Sequence, residues 1–314
     1  MEDYTMNLIC VGEMVIDFLP GEGEGVYIRK AGGAPANVAV AAARNGLKAG
    51  FCGRVGNDDF GRFLFKTLES NDVTVCCPKL VDEAITTMAF VSLDETGDRS
   101  FTFARKPGAD MFLTRADVDA AGVKDADMVH AGSCSMSRDP AADATVYAMQ
   151  VAKDNGKLVS FDVNYRNLMW KDDRDACSKA VQDILPIVDL LKISEEEEDM
   201  LGDTPAAVAK ACNIGVVIET LGGDGAKAFW NGKEYFVPAR KAKCVDTTGA
   251  GDAFWGGFTS CLLKNGVRKV EDITEELLLK AMNFGTVAGW LCVQKKGAME
   301  SLPTYAEVEA ILEA

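Results

Sequence analysis

The chain has 314 residues and carries 33 Lys and Arg against 48 Asp and Glu, a formal net charge of −15 with its single histidine neutral. That balance excludes a nucleic-acid binder working through a general basic field, and 48% hydrophobic with 26% charged residues excludes a disordered chain. No run approaches the ~18 apolar residues of a membrane span, and the acidic start Met1-Glu2-Asp3 lacks the basic region of a secretory signal; a cytoplasmic protein with neither membrane nor nucleic acid as partner is expected.

In chain order, short β-rich runs alternate with helical patterns. Residues 7–11 precede an Ala-rich helix at 35–45, and 50–55 precede a helix at 60–70. Further strands are expected at 128–131, 158–163, 188–193 and 215–220, each followed by a polar or glycine-rich turn and a helix candidate. This is the pattern of βαβ units, and it predicts an α/β fold with a doubly wound, mostly parallel sheet and helices on both faces. Ligands in such sheets gather at the C-terminal ends of the strands.

One stretch breaks the alternation. Residues 85–93 and 99–104 flank Asp94-Glu95-Thr96-Gly97-Asp98, which reads as a β-hairpin turn. With 26–29 they form either a small separate sheet, serving as a lid or dimer surface, or an antiparallel edge of the main sheet. The acidic Gly21–Gly25 segment reads as a flexible turn. With no repeat and no linker, residues 1–314 are expected to form a single domain, its lid drawn from about 18–31 and 84–106.

Ten cysteines without a C-x-x-C spacing read as reduced core residues, and the adjacent Cys76 and Cys77 as a strand end rather than a redox pair. His130, alone, cannot build a histidine metal cluster; it is expected to be packed or hydrogen-bonded near its strand's end.

The most informative segment runs from Asp246 to Phe254. It follows a β-like run at 235–245 and opens a helix whose Phe254, Phe258 and Leu262 recur at i, i+4, i+8 until Asn265-Gly266. Small residues at a helix start (Gly249, Ala250, Gly251) expose backbone N–H groups where the dipole also favours negative charge, an arrangement suited to a phosphoryl group. Asp252 would repel that ligand, but makes sense as a base facing a nucleophile held beside it. The alternative is an ordinary β-to-α turn with an acid in the first helical turn. Neither a G-x-x-x-x-G-K-[ST] loop nor a G-x-G-x-x-G after the first strand is present, which removes P-loop and dinucleotide readings.

Two segments together, Gly32-Gly33-Ala34-Pro35-Ala36-Asn37 before an Ala-rich helix and Asp246 to Phe254 near the C-terminus, resemble the signature motifs of the PfkB/ribokinase family of carbohydrate kinases, over essentially the whole chain. Gly12-Glu13, Ile16-Asp17-Phe18 and Arg105-Lys106-Pro107-Gly108-Ala109-Asp110 look most like the fructokinases of that family. The resemblance implies a ribokinase-like fold with a small β-sheet lid, and an ATP-dependent sugar kinase acting on fructose. The alternatives are a same-fold kinase for 2-keto-3-deoxygluconate, another sugar or a nucleoside, and a non-catalytic sugar-binding homologue.

By the same resemblance, Asp252 is the base and Gly249, Ala250 and Gly251 the anion hole. Asp17, Gly32, Gly33 and Asn37 hold sugar hydroxyls, although Asp17 alone would read as a strand-end turn and 33–37 as helix capping. Arg105 and Arg166 clamp sugar or phosphoryl oxygens, or else serve as ion-pair partners in an acidic protein. On the nucleotide side the resemblance places Lys192, the loop with Thr220, Gly222 and Gly225, and Asn283; the loop by itself reads as a hairpin turn and Asn283 as a helix-surface residue. Glu197 would steer Mg²⁺ through water, although Ser194 to Glu197 is also a capping box and shows serine where the family has asparagine. A K⁺ site would involve Asp246, Thr248 and Ser301, and paired lids would make a homodimer.

Overall fold

The computed structural model describes residues 5–23, 25–93 and 99–313. The acidic start Met1-Glu2-Asp3, Glu24 of the expected 21–25 turn and residues 94–98, expected as a hairpin turn, lie outside the described residues. The strands are β1 (Leu8–Val11), β2 (Val15–Pro20), β3 (Tyr27–Gly32), β4 (Ala49–Cys52), β5 (Val73–Val75), β6 (Met88–Leu93), β7 (Arg99–Ala104), β8 (Met128–Gly132), β9 (Leu158–Asp162), β10 (Leu190–Ser194), β11 (Val216–Thr220), β12 (Gly225–Trp230) and β13 (Lys233–Pro238). The helices are α1 (Ala34–Arg44), α2 (Asp59–Glu69), α3 (Arg115–Ala120), α4 (Ala141–Asp154), α5 (Arg174–Ile184), α6 (Pro205–Ala211), α7 (Ala250–Lys264), α8 (Glu275–Cys292) and α9 (Tyr305–Leu312).

Nine strands form one sheet in the order β13-β12-β11-β10-β9-β8-β1-β4-β5, parallel from β11 to β5, with β12 and β13 added antiparallel. The fold is a doubly wound α/β sheet. Strand alternation divides its core: Leu8 and Cys10 face the layer of α1, α7 and α8, while Ile9 and Val11 face the layer of α4 and α5. The strands read as near-continuous apolar runs because helices cover both faces. From β1 the chain proceeds outward to β4 and β5, and from β8 it proceeds the other way, so the topological switch point lies between β1 and β8. A ligand crevice is expected there.

The second sheet, β3-β2-β6-β7, is separate from the first, which settles the open choice between a small sheet and an edge of the main one. It is mixed: β2 pairs parallel with β6 and antiparallel with β3, and β6 with β7 antiparallel. Phe18, Tyr27 and Phe90 form an aromatic cluster on it, and Phe60 of α2 packs edge-on against Phe18 at 5.7 Å between ring centroids. Lys30 pairs with Glu300 at 2.8 Å and ties β3 to the C-terminal region.

Three local readings change. The strand expected over 235–245 is Lys233–Pro238, because Pro238 ends the ladder and the basic stretch after it has no apolar alternation. Asp17 lies within β2 rather than at a strand-end turn, paired in register with Lys30 and Ala89. His130 is in the middle of β8, not near its end. Its Nδ1 lies 3.0 Å from Ser160 Oγ, and Trp255 Nε1–H donates to Ser160 Oγ at 2.9 Å and to His130 Nδ1 at 3.3 Å. Burial drives His130 down to about 3, so the imidazole is neutral and helps fix α7 against β8 and β9.

Candidate functional site

The switch point is bridged by side chains. Glu13 leaves β1 beside Gly12, the segment 133–137 leaves β8, and Ser135 Oγ–H donates to Glu13 Oε2 at 2.7 Å. Glu13 is buried, and that burial pushes its carboxyl up to about 7 despite the hydrogen bond from Ser135. Gly33 turns into α1 with φ 109° directly against this segment, and a Cβ there would stand 2.5 Å from the Glu13 carbonyl. A Cβ at Gly32 would overlap the Asp17 carboxylate. The two glycines are therefore what lets β2, β3 and α1 converge at one point. Asp17 is half-buried there; desolvation raises it to about 6 while Arg166 pulls it back.

α1 then delivers Asn37 to the start of α7. Asn37 Nδ2 donates to Asp252 Oδ2 at 2.7 Å, and Asn37 Oδ1 is buried with no hydrogen-bond partner. Burial pushes the Asp252 carboxyl up, opposed by the hydrogen bond from Asn37 and the charges of Lys192 and Arg166, with Asp162 adding to the rise. A raised carboxyl is a better proton acceptor than an ordinary aspartate. Gly249 caps α7 in the left-handed region at φ 80°, where its backbone packs on Ala298. The Ala250 N–H donates to the Thr247 carbonyl at 3.2 Å, so of the three expected anion-hole donors it is already engaged. The N–H groups of Gly251 and Asp252 have no acceptor among the described residues.

Lys192, in the middle of β10 rather than at the strand's end, lies beside Gly251, its Nζ 3.4 Å from where a Cβ would be. It pairs with Asp162 at 2.7 Å, both buried. Burial favours the neutral amine, but Asp162 and Glu197 outweigh it and hold Lys192 above its ordinary value. Asp162 Oδ1 is buried without a partner. Arg166 is exposed at the rim, its charge held by Asp252, Glu197 and Asp162 against the cost of desolvation.

Arg105 has a different place. It donates through Nε and Nη2 to Asp110 Oδ2 at 2.9 and 2.7 Å and through Nη1 to Ser137 Oγ at 3.2 Å, while Thr87 Oγ1 hydrogen-bonds Asp110 Oδ1. It is a buried ion pair behind Glu13 rather than a surface one.

Glu197 acts as the capping box predicts. Its Oε2 accepts from Ser194 N at 2.9 Å and its Oε1 from Tyr165 N at 2.6 Å. Asp246 accepts at Oδ1 from the N–H of Thr248 at 3.0 Å and its hydroxyl at 2.7 Å, and at Oδ2 from Gly297 N at 3.1 Å. Ser301, in the same region, donates to the Ala298 carbonyl at 2.8 Å and lies 2.9 Å from Cys292 Sγ.

The loop of Thr220, Gly222 and Gly225 is the β11–β12 turn. Thr220 Oγ1 donates to the Ile193 carbonyl at 3.2 Å, and Gly225 sits where a Cβ would strike the Val237 carbonyl. Gly222 faces open space. Asn283 is exposed on α8 and donates to the Leu279 carbonyl of the same helix at 2.8 Å.

Sequence reasoning assigns no role to Glu13, Ser135, Asp110 or Asp162. Glu13 and Asp162 carried a signal: each is an acid at the C-terminal end of an apolar parallel strand, where burial needs a reason. Ser135 carried none, because its partner Glu13 is 122 residues away; Asp110 is only five residues from Arg105, but their pairing depends on a fold that also brings Thr87, 23 residues away, against the same carboxylate.

Residues 6–305 match the pfkB family carbohydrate kinases. Fructokinase-1 of Oryza sativa subsp. japonica is 37% identical over 321 residues, covering 98% of both chains. The crystal structure of fructokinase with bound ATP from Xylella fastidiosa superposes with a TM-score of 0.91 at 30% identity, covering 98% of each chain. Fructokinase from Vibrio cholerae O395, with fructose, ADP and calcium ion bound, gives a TM-score of 0.85 at 34% identity over 99% of this chain and 100% of that one.

Proposed function

The chain belongs to the pfkB family of carbohydrate kinases, and within that family we propose that it is a fructokinase, transferring the γ-phosphoryl group of ATP to D-fructose and releasing fructose 6-phosphate and ADP. The observation that carries this reading is the Asn37–Asp252 pair: the amide orients the carboxylate at 2.7 Å and keeps a buried oxygen, Oδ1, free to accept from an acceptor hydroxyl. Asp17 accepts further sugar hydroxyls across the cleft, with Gly32 and Gly33 bringing the backbone close and Arg166 at the rim. Arg105 acts from behind, holding Asp110 and the Glu13 segment.

Asp252 orients the attacking hydroxyl and takes its proton as the sugar oxygen bonds to phosphorus and ADP departs. The free N–H groups of Gly251 and Asp252, at the positive end of α7, receive the phosphoryl oxygens together with Gly249. Lys192, pinned by Asp162 beside Gly251, adds positive charge on the nucleotide side, and the turn at Thr220, Gly222 and Gly225 with Asn283 lies along the nucleotide's path. A divalent ion, Mg²⁺ in this reading, neutralises phosphate charge. No group of three or more His, Cys, Asp and Glu among the described residues could cage one; Glu197 and the unpartnered Asp162 Oδ1 are the groups that fit it, through water and the nucleotide's own phosphates. Asp246, Thr248 and Ser301 would border a K⁺ ion behind the anion hole.

The small sheet serves as the lid and as the surface of a homodimer. Its β3 is an edge strand, and Val26, Tyr27, Ile28 and Ile85 are 44–50% exposed. No helix among the described residues is long and apolar enough to cross a membrane, and ten free thiols fit the reducing cytoplasm.

ADP release from MgATP across fructose, ribose, glucose, 2-keto-3-deoxygluconate and adenosine tests the assignment. A clear preference for fructose is expected. Preference for another acceptor would keep Asp252 in its role and discard the sugar assignment.

A further inference from the structure

Away from the cleft, the described residues hold a pair of thiols placed for covalent chemistry. Cys52 ends β4 and Cys77 lies just past β5, and their sulfurs stand 3.2 Å apart. Cys76, the sequence neighbour of Cys77, does not share this contact; its thiol donates to the Thr74 carbonyl at 3.6 Å. β4 and β5 are parallel, with Phe51 opposite Val75, so the two chains leave the sheet side by side at the same end.

We propose that Cys52 and Cys77 are a reversible disulfide site, oxidised by a peroxide or a small-molecule disulfide, and that the bond acts on the sugar wall of the cleft through Gly12. A disulfide is about 2.05 Å long, so the sulfurs need close by only roughly 1 Å. The hydrogen bond from the Cys52 thiol holds the Cys77 thiol below its ordinary value, with the Arg54 charge adding to the effect, while Cys52 is pushed well above. Arg54 is fixed there by Asp117, whose carbonyl in turn accepts from Cys77 Sγ at 3.4 Å. Cys77 is therefore the attacking thiolate and Cys52 the resolving thiol. Both sulfurs are buried, Cys77 at 4% exposure, but β5 is a three-residue edge strand and Pro78 and Lys79 beyond it are exposed. A small oxidant reaches the pair by local fraying of that edge.

With hydrogen peroxide, the Cys77 thiolate attacks one oxygen, the O–O bond breaks, and the departing hydroxide is protonated to water. The Cys52 sulfur then displaces the hydroxyl of the Cys77 sulfenic acid as a second water, its own thiol proton going to that oxygen. The two sulfurs together lose two electrons and the peroxide gains them. A dithiol reductant reverses the bond by exchange.

The link to the cleft is direct. The Cys52 carbonyl accepts the Gly12 N–H at 3.0 Å, and Gly53 is packed so closely on Gly12 that a Cβ would overlap the Gly12 carbonyl. Drawing Cys52 toward Cys77 moves the peptide that carries Gly12 and Glu13, and Glu13 is where Gly33 and Ser135 converge.

The full-length protein is treated with hydrogen peroxide or glutathione disulfide, its thiols are counted in denaturant, and a non-reduced digest is mapped by mass spectrometry. Loss of two of the ten free thiols, a peptide joining Cys52 to Cys77, and recovery with dithiothreitol are expected. Cys76→Ser should keep the cross-link and Cys77→Ser should lose it. Oxidation should raise the fructose KM several-fold with the ATP KM unchanged, in wild type and Cys76→Ser but not in Cys77→Ser. No joined peptide, or one joined through Cys76, overturns the site; a joined peptide with an unmoved fructose KM overturns the coupling. The KM readout rests on the fructokinase reading, whereas thiol count and mapping do not, so the two failures are distinguishable.

Discussion

The wall of the cleft proposed to receive the phosphoryl group is one run of chain, 246–252, whereas the wall proposed to face the sugar draws on three distant stretches, with Glu13 and Asp17 on one, Asn37 on another and Ser135 on a third. The first is made mainly of backbone donors at a helix start, fixed by a left-handed glycine and by local bonds from Thr248 to Asp246. The second is made of side chains, two of them carboxyls that burial has moved into the range from about 6 to about 7. Backbone N–H groups do not titrate and carboxyls do. The backbone donors of the phosphoryl wall should therefore be indifferent to mild pH change, whereas Asp252 and the carboxyls of the sugar wall should not.

Asp252 belongs to both walls through Asn37, and its substitution is the severest test. Asp252→Asn should lower kcat by ~10²-fold or more while the fructose KM changes little, because the amide keeps the shape and cannot take the proton. Steady-state kinetics with both substrates checks this; near-wild-type turnover would remove Asp252 from catalysis.

A smaller effect is expected on the sugar side alone. Asp17→Ala should raise the fructose KM ~10- to 100-fold, the value of hydrogen bonds to a charged group, and leave the ATP KM in place. Desolvation holds the Asp17 carboxyl at about 6, so it gains a proton as pH falls through that value and loses its acceptor capacity. Wild-type kcat/KM for fructose should fall below pH ~6, and the part of the decline centred there should be absent in Asp17→Ala, leaving the fall that protonation of Asp252 causes. An equal loss for both substrates would mean a folding defect instead.

The smallest effect is on stability. Burial raises Glu13 from 4.5 to about 7 in the folded chain, so the folded state binds this proton more tightly. Its contribution is fully present below pH ~4.5 and is lost as pH rises through ~7. Glu13→Gln keeps an acceptor for Ser135 and removes the titration. It should be more stable than wild type at pH 8 by ~1–3 kcal/mol and nearly equal at pH 4.5, read by thermal melting at both values. A difference independent of pH would show that packing, not ionisation, governs the site.

What could be read in the sequence follows the same division. The start of α7 was legible because a β-run, three small residues, an acid and an i, i+4, i+8 apolar stripe all lie within one window. The parallel strands were legible because burial on both faces makes them apolar throughout. β5, three residues long, and β12, opened by a glycine turn, were not, since neither carries a period long enough to count. Cys77 was legible only beside Cys76, its neighbour in the chain, while its partner in space is Cys52, on the next strand.

Legible in the chain alone were the α/β alternation and the small-residue helix start that carries Asp252. The folded chain was needed to show that β2, β3, β6 and β7 form a sheet of their own, that Gly32 and Gly33 are where chains meet, that Asn37 binds Asp252 instead of capping α1, that Arg105 is spent on Asp110, and that Glu13 is buried against Ser135. The physical reason is range. Helix starts and strand periods are set by neighbours within a turn or two, whereas the ionisation of a carboxyl and the partner of an amide depend on what distant segments bring beside it and on how completely they exclude water.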